Sequence, residues 1–243
     1  MGQSKVLLML GASSDVGCEL IKRNEDRYDV ILAHYCRSEE RLKALQQKIG
    51  EKICLFQADF LDRESVGNLI AGIREKGLLP THIVHLSASK FYNVKFAKST
   101  WEQFDEEMKT SLYAIAEIAR AFFPGMAKAG FGRVVFMLTS CVQNTPPKYL
   151  SPYVTAKYAL LGLMKSLAAE YADKGITVNG VSPDMIETRF LAGIPELIVQ
   201  KNAMDSPIGR NLTVDDVIPV FEYLLSDQAG AITGQAIAVT GGR

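Results

Sequence analysis

The sequence predicts an α/β fold: a single doubly wound parallel sheet of about seven strands, with helices on both faces. Two observations carry this. Short, continuous apolar runs recur from one end of the chain to the other, as strands buried on both faces require. Longer segments with helical periodicity lie between them, and strand–helix alternation imposes right-handed crossovers and a parallel sheet. A third observation sets the domain count. No repeat, low-complexity stretch or Pro/Gly/Ser linker divides the 243 residues, and one α/β domain spanning 1–243 accommodates that length.

The first strand is expected at 5–10 (KVLLML), with a helix at 14–24 after the Gly11 turn. The second strand, 29–34 (DVILAH), leads to a helix at 38–49, and the third, 52–57 (KICLFQ), to one at 63–77. A fourth strand at 81–86 (THIVHL) precedes a long helical pattern at 100–128. The fifth, 133–138 (RVVFML), is followed by a helix at 151–174. The sixth, 176–181 (ITVNGV), precedes a helix at 213–225, and the seventh is 235–240 (QAIAVT). The interruption at about 184–208 is long for a connection in a compact domain and reads as a substrate lid.

Hydrophobic residues make up 48% of the chain and mean hydropathy is +0.07, enough for one substantial core. Twenty-seven basic and 27 acidic residues leave a formal net charge of zero. That balance argues against a nucleic-acid partner, which needs clustered Lys and Arg. Cys18, Cys36, Cys54 and Cys141 form no CxxC pair, and the three histidines add no metal-ligand spacing. Free thiols point to a reducing compartment. The apolar run Val6 to Leu10 is too short for a signal segment or a membrane span. The expectation is a cytoplasmic protein with no metal and no membrane partner.

Gly11-Ala12-Ser13-Ser14-Asp15-Val16-Gly17 follows the first strand and opens the first helix. Glycines there let the backbone turn tightly and approach a pyrophosphate, which then sits on the helix N-terminal N–H groups. A glycine pair this sparse is weak evidence by itself; its position at the carboxyl end of strand one is what favours a nucleotide. About 20 residues on, at the end of strand two, an acidic residue would hold a ribose 2′-hydroxyl. The chain instead offers His34-Tyr35-Cys36-Arg37-Ser38, with no carboxylate until Glu39. Arg37 suits a 2′-phosphate, because guanidinium makes charge-assisted bonds with phosphate. NADP(H) is the expected cofactor.

Tyr153-Val154-Thr155-Ala156-Lys157 lies on an apolar-periodic helix, so its spacing of four puts Tyr153 and Lys157 on one face. A free tyrosine titrates near pH 10, and an adjacent ammonium favours the phenolate, which makes the pair a tunable acid/base. Ser140 lies thirteen residues earlier, after the strand at 133–138. Its hydroxyl is placed to donate to a substrate oxygen as charge develops there. Surface decoration and turn chemistry would explain each residue singly. Of nine tyrosines, only Tyr153 has a lysine four residues on.

Over nearly its full length the chain resembles the short-chain dehydrogenase/reductases, a Rossmann-type family. The resemblance rests on 11–17, on Ser140, Tyr153 and Lys157, and on Pro183-Asp184-Met185-Ile186-Glu187-Thr188. It also includes Asp59-Phe60 after strand three and the ending Ile232-Thr233-Gly234-Gln235 with Gly241-Gly242. The family implies that Tyr153 supplies the proton, that Lys157 tunes it and binds the nicotinamide ribose, and that Ser140 orients the carbonyl. It implies cofactor contacts at Gly11, Ser13, Ser14, Asp15, Val16, Gly17, Arg37, Ser38, Asp59, Phe60, Ser87, Ala88, Tyr153, Lys157, Pro183, Ile186 and Thr188. A homotetramer is implied as well.

Four positions depart from the family pattern. Asp15 replaces a glycine and is expected to cap the first helix. Leu86-Ser87-Ala88-Ser89 replaces an Asn-Asn-Ala-Gly stretch, and Asp184 replaces a glycine. Ser111 stands where a helix asparagine joins the proton relay, if Phe104 takes the preceding aromatic position. The leading expected function is NADPH-dependent reduction of a ketone, a 3-oxoacyl thioester on acyl carrier protein above others. Phe190, Leu191, Ile194, Leu197 and Ile198 of the lid would line its pocket. The alternatives are a dehydrogenase of a sugar or other secondary alcohol, and a non-catalytic NADP(H)-binding regulatory or scaffold protein.

Overall fold

A computed structural model describes residues 4–243; the first three residues of the expected domain lie outside the described part. Seven strands form one all-parallel sheet in the order β3-β2-β1-β4-β5-β6-β7. They are β1 Val6–Leu10, β2 Val30–Tyr35, β3 Ile53–Gln57, β4 His82–His85, β5 Gly132–Met137, β6 Ile176–Pro183 and β7 Ala236–Val239. Every residue of β1 is buried. Leu8 and Leu10 enter one core with Phe122, Phe123, Leu160 and Met164, while Leu7 and Met9 enter the other with Ile21, Val217 and Phe221. The period-two alternation of a strand thus feeds two apolar layers, and continuous apolar runs mark strands covered on both faces.

The order reverses between β1 and β4, and a doubly wound sheet leaves its crevice at such a switch point, beyond the carboxyl ends of the strands. Helices α1 Asp15–Asn24, α2 Glu40–Ile49 and α3 Arg63–Glu75 follow β1, β2 and β3 in turn. The pattern read as one helix at 100–128 is two, α4 Trp101–Met108 and α5 Ala114–Ala129, joined by a π-helical turn at Lys109–Tyr113. A capping box of Thr100 and Gln103 starts α4, and left-handed Gly130 ends α5. Then come α6 Ser151–Tyr171, α7 Glu196–Met204 and α8 Val214–Leu224. The segment read as a lid contains a 3-10 turn at Arg189–Gly193 and the whole of α7, which buries no residue.

Candidate active site

The turn after β1 is built by close packing. Gly11 has φ +78°, and a Cβ there would come within 3.0 Å of the Ser87 backbone nitrogen. A Cβ on Gly17 would meet the Ala12 carbonyl at 2.6 Å, so glycine is required where α1 crosses the strand end. The Gly11 N–H donates to His34 Nδ1 at 3.1 Å, and His34 Nε2 donates to the Ala58 carbonyl at 3.1 Å. His34 therefore ties the first three strand ends together. Burial pushes it down to about 4, so the imidazole stays neutral near pH 7.

The cap of α1 is Ser14, whose hydroxyl accepts from the Gly17 N–H at 3.1 Å. Asp15, expected to cap, instead holds two guanidiniums, which corrects that reading. Its carboxylate accepts from the Arg189 N–H at 2.8 Å and Nε at 3.2 Å, and pairs with Arg41 at 2.8 Å. Both arginines also donate to the Ser13 carbonyl, at 2.8 Å from Arg41 and 2.9 Å from Arg189. Burial works against the Asp15 carboxylate, yet the Arg189 N–H and the two cations together hold it below its ordinary value. The cap was misassigned because residues 26 and 174 positions away decide what Asp15 touches.

A cavity of about 450 Å³ opens at the carboxyl ends of the strands, lined by Ser140, Tyr153 and Lys157. Of the expected cofactor contacts, Ser14, Asp15, Val16, Ser38 and Ala88 line one side of it, and Pro183, Ile186 and Thr188 another. Gly11, Ser13 and Gly17 shape the turn without lining the cavity. Arg37 is exposed beyond the end of β2. Asp59 accepts from the Leu61 N–H at 3.0 Å. The Phe60 ring is core, stacked on His34 at 4.2 Å, which leaves only its main chain for a ligand. Ser87 and Ser111 do not line the cavity, and each has a buried hydroxyl with no partner among the described residues.

Residues Ser140–Val142 form a 3-10 turn; β5 itself stops at Met137, three residues short of Ser140. Thr139, between them, is set beside the Tyr153 phenol and draws its proton affinity down. Lys157 is only 2% exposed and donates to the Met137 carbonyl at 2.8 Å. Its Nζ lies 5.7 Å from the Tyr153 ring centroid. Lys157 does not figure among the groups that shift the tyrosine in this structure. Burial pushes the phenol well above its ordinary value, Cys141 and Glu107 add to this, and the ammonium is turned to a carbonyl instead. Lys157 itself is pushed down by burial, to about 8, against the pull of Glu107.

The apolar wall comes from two loops. Phe91 packs at 5.8 Å from both Tyr153 and Phe190, bridging the catalytic helix to the lid. Leu191 and Ile194 line the cavity as expected, but Leu197 and Ile198 do not; Leu197 is 74% exposed. On α7 they face away, a correction that follows from the helix replacing a loop. Arg243 closes the same corner, pairing with Asp184 at 2.7 Å and donating to the Asn202 side chain at 2.7 Å. Arg41, Arg189, Asn202, Arg243, Thr139 and Glu107 had no sequence signal, since each acts through a partner distant in the chain.

Residues 22–243 match the family model described as Enoyl-(Acyl carrier protein) reductase. The chain belongs to the short-chain dehydrogenase/reductase family. It is 32% identical to acetoacetyl-CoA reductase of Rhizobium meliloti (strain 1021) over 241 residues, 99% of this chain and 98% of that one. It is 28% identical to 3-oxoacyl-[acyl-carrier-protein] reductase FabG of Haemophilus influenzae, covering 99% and 98%. A gluconate 5-dehydrogenase from Burkholderia cenocepacia J2315, in complex with NADP and tartrate, superimposes with TM-score 0.87 at 20% identity, covering 98% and 94%. The short-chain dehydrogenase/reductase is thus an enzyme, an NAD(P)-dependent oxidoreductase, and among its described residues no helix is long and apolar enough to cross a membrane.

Proposed function

We propose that the protein reduces a 3-oxoacyl thioester to the 3-hydroxy compound, with NADPH as reductant. The observation that carries this is the convergence of Ser140, Tyr153 and Lys157 on one cavity with an apolar wall of Phe91, Phe190, Leu191 and Ile194. The nucleotide side fits a dinucleotide: the turn admits no Cβ at Gly11 or Gly17, and the first-turn N–H groups of α1 suit a pyrophosphate. Arg37, with no carboxylate at the end of β2, favours the 2′-phosphate. NADPH, when bound, supplies the hydride.

Ser140 donates to the ketone oxygen and holds the carbonyl in line, so developing negative charge meets a placed donor. Tyr153 then gives its phenolic proton to that oxygen. A phenol raised by burial still serves as the donor, because a forming alkoxide is a much stronger base. No histidine competes for the role. Burial pushes His34 and His82 down to about 4 and His85 to about 3, so none carries a proton to give near neutrality. Lys90, exposed next to Phe91, supplies a positive charge that suits an anionic thioester carrier.

The test is steady-state turnover with acetoacetyl-CoA, an acyl-carrier-linked 3-oxoacyl chain, and a panel of sugars and secondary alcohols, each with both nicotinamide coenzymes. Thioester-dependent oxidation of NADPH is expected. Turnover confined to the sugars would replace this reading with the polyol one. A homotetramer belongs to the same proposal and is read by light scattering of the purified chain.

A further inference from the structure

A carboxylate sits where the fold would ordinarily bury apolar groups. Glu107, in the last turn of α4, is 1% exposed, and its Oε2 has no partner among the described residues. Ser111 Oγ, one turn further along in the π turn, is in the same condition, as are His85 Nδ1 at the end of β4, whose Nε2 meets the Ser111 carbonyl, and Ser87 Oγ just beyond. A lone buried carboxylate would cost several kcal/mol, and clustered unpartnered atoms mark a functional or hydrated path rather than packing. The π turn creates this place. It turns the Ser111 carbonyl to accept from His85 Nε2 at 3.0 Å, and π bulges concentrate at functional sites.

We propose that Glu107 is a positioning residue that acts through Lys157, holding its charge and returning protons to it across hydrogen-bonded bridges in this polar pocket. The inference rests on the ketoreductase reading above. Each turnover removes one proton from Tyr153, and the phenolate must regain it before the next. A proton passes from the Lys157 ammonium toward the phenolate. Through those bridges the Glu107 carboxyl passes its own proton on to the Lys157 amine. The resulting carboxylate regains a proton from solvent past Ser89, which lies beside it on the half-buried loop after β4. No electron moves, and one solvent proton enters per turnover.

The groups facing Glu107 agree with that direction. Lys157 and Tyr153 approach it from α6, Glu106 adjoins it on α4, His85 faces Lys157 from β4, and Ser89 approaches from the loop. Burial pushes the Glu107 carboxyl up while Lys157 and Ser89 pull it down, and burial pushes Lys157 down while Glu107 pulls it up. The two proton affinities are drawn toward each other, which is what transfer between them requires.

The experiment compares wild type, Glu107→Gln, Glu107→Asp and Glu107→Leu, with Tyr153→Phe as the reference for the chemistry. Glu107→Gln is expected to cut kcat by about tenfold or more with KM and NADPH affinity unchanged. It should also move the alkaline limb of the kcat profile to lower pH, because above its own titration Glu107 is a carboxylate whose charge keeps Lys157 protonated. Glu107→Asp should restore part of the rate. In the ligand-free protein, infrared difference spectra should show a carboxylic acid band titrating above the ordinary carboxylate range and missing from Glu107→Gln. If Glu107→Gln folds poorly, Glu107→Leu provides the same contrast with an apolar filler. A wild-type rate and pH profile in either variant, with Tyr153→Phe inactive, would overturn the role of Glu107 and leave the ketoreductase reading standing. Full activity in Tyr153→Phe would overturn both.

Discussion

Tyr153 and Lys157 sit on one face of α6, as i,i+4 spacing requires, but their proton affinities are set by what surrounds them. The phenol is desolvated, and the ammonium commits one of its three N–H groups to the Met137 carbonyl. Tyr153→Phe keeps the ring against Phe91 and removes only the hydroxyl. Single-turnover reduction should fall by about 10²–10⁴-fold with NADPH affinity unchanged by fluorescence titration. Retention of more than about a tenth of the rate would remove Tyr153 from the mechanism. Arg37→Ala tests the coenzyme choice. KM for NADPH should rise while NADH kinetics stay put, the sign of lost phosphate binding; an equal effect on both coenzymes would count against the phosphate contact.

The elements divide by how local their causes are. Strands were legible almost residue by residue, because burial on both faces writes itself as unbroken apolar runs such as VLLML at 6–10. The triad was legible for a similar reason, its spacing being a property of one strand end and one helix. The π turn at Lys109–Tyr113 was not, since apolar residues on each side of it continue a helical pattern without a break. Helix α7 was hidden too: ELIVQKNAM has no apolar face, and none of its residues is buried. Its docking comes from distant hydrogen bonds instead: Asn202 accepts from Arg243, itself paired with Asp184, and donates to Asn211, which in turn donates to the Val199 carbonyl. The adjoining 3-10 turn is held by Arg189 on Asp15. Arg189→Ala should therefore loosen the lid segment without unfolding the sheet. A partly exposed pair contributes at most about 1 kcal/mol, so substrate KM should rise no more than about fivefold, with faster proteolysis within 189–208. An unchanged cleavage rate would mean the lid is held by other contacts.

At the scale of the whole molecule, the three buried histidines make stability depend on acid. His34, His82 and His85 are held down to about 4, 4 and 3 by burial, whereas an exposed histidine titrates near 6.5. Below about pH 6.5 the unfolded chain takes up protons that the native state refuses, so stability present above that pH is lost as pH falls toward the folded values. Glu107 runs the other way, since its raised carboxyl binds a proton in the native state that an unfolded glutamate releases above about pH 4.5. Each histidine takes up about one proton on unfolding in that range, and whatever proton Glu107 keeps in the native state offsets part of this uptake. Lys157, lowered to about 8, acts only on the alkaline side. Asp216, which its Arg210 partner holds far below the usual carboxylate range, acts only at stronger acid. Stability should therefore fall by up to about 4 kcal/mol per pH unit between about pH 6 and pH 5. Urea denaturation at half-unit steps from pH 7.5 to 4.5 reads this slope directly. Replacing His82, which lies away from the nucleotide turn, with Gln should flatten it by about one proton. A wild-type midpoint that stays level down to pH 5 would show that the imidazoles are protonated in the folded chain, against their burial.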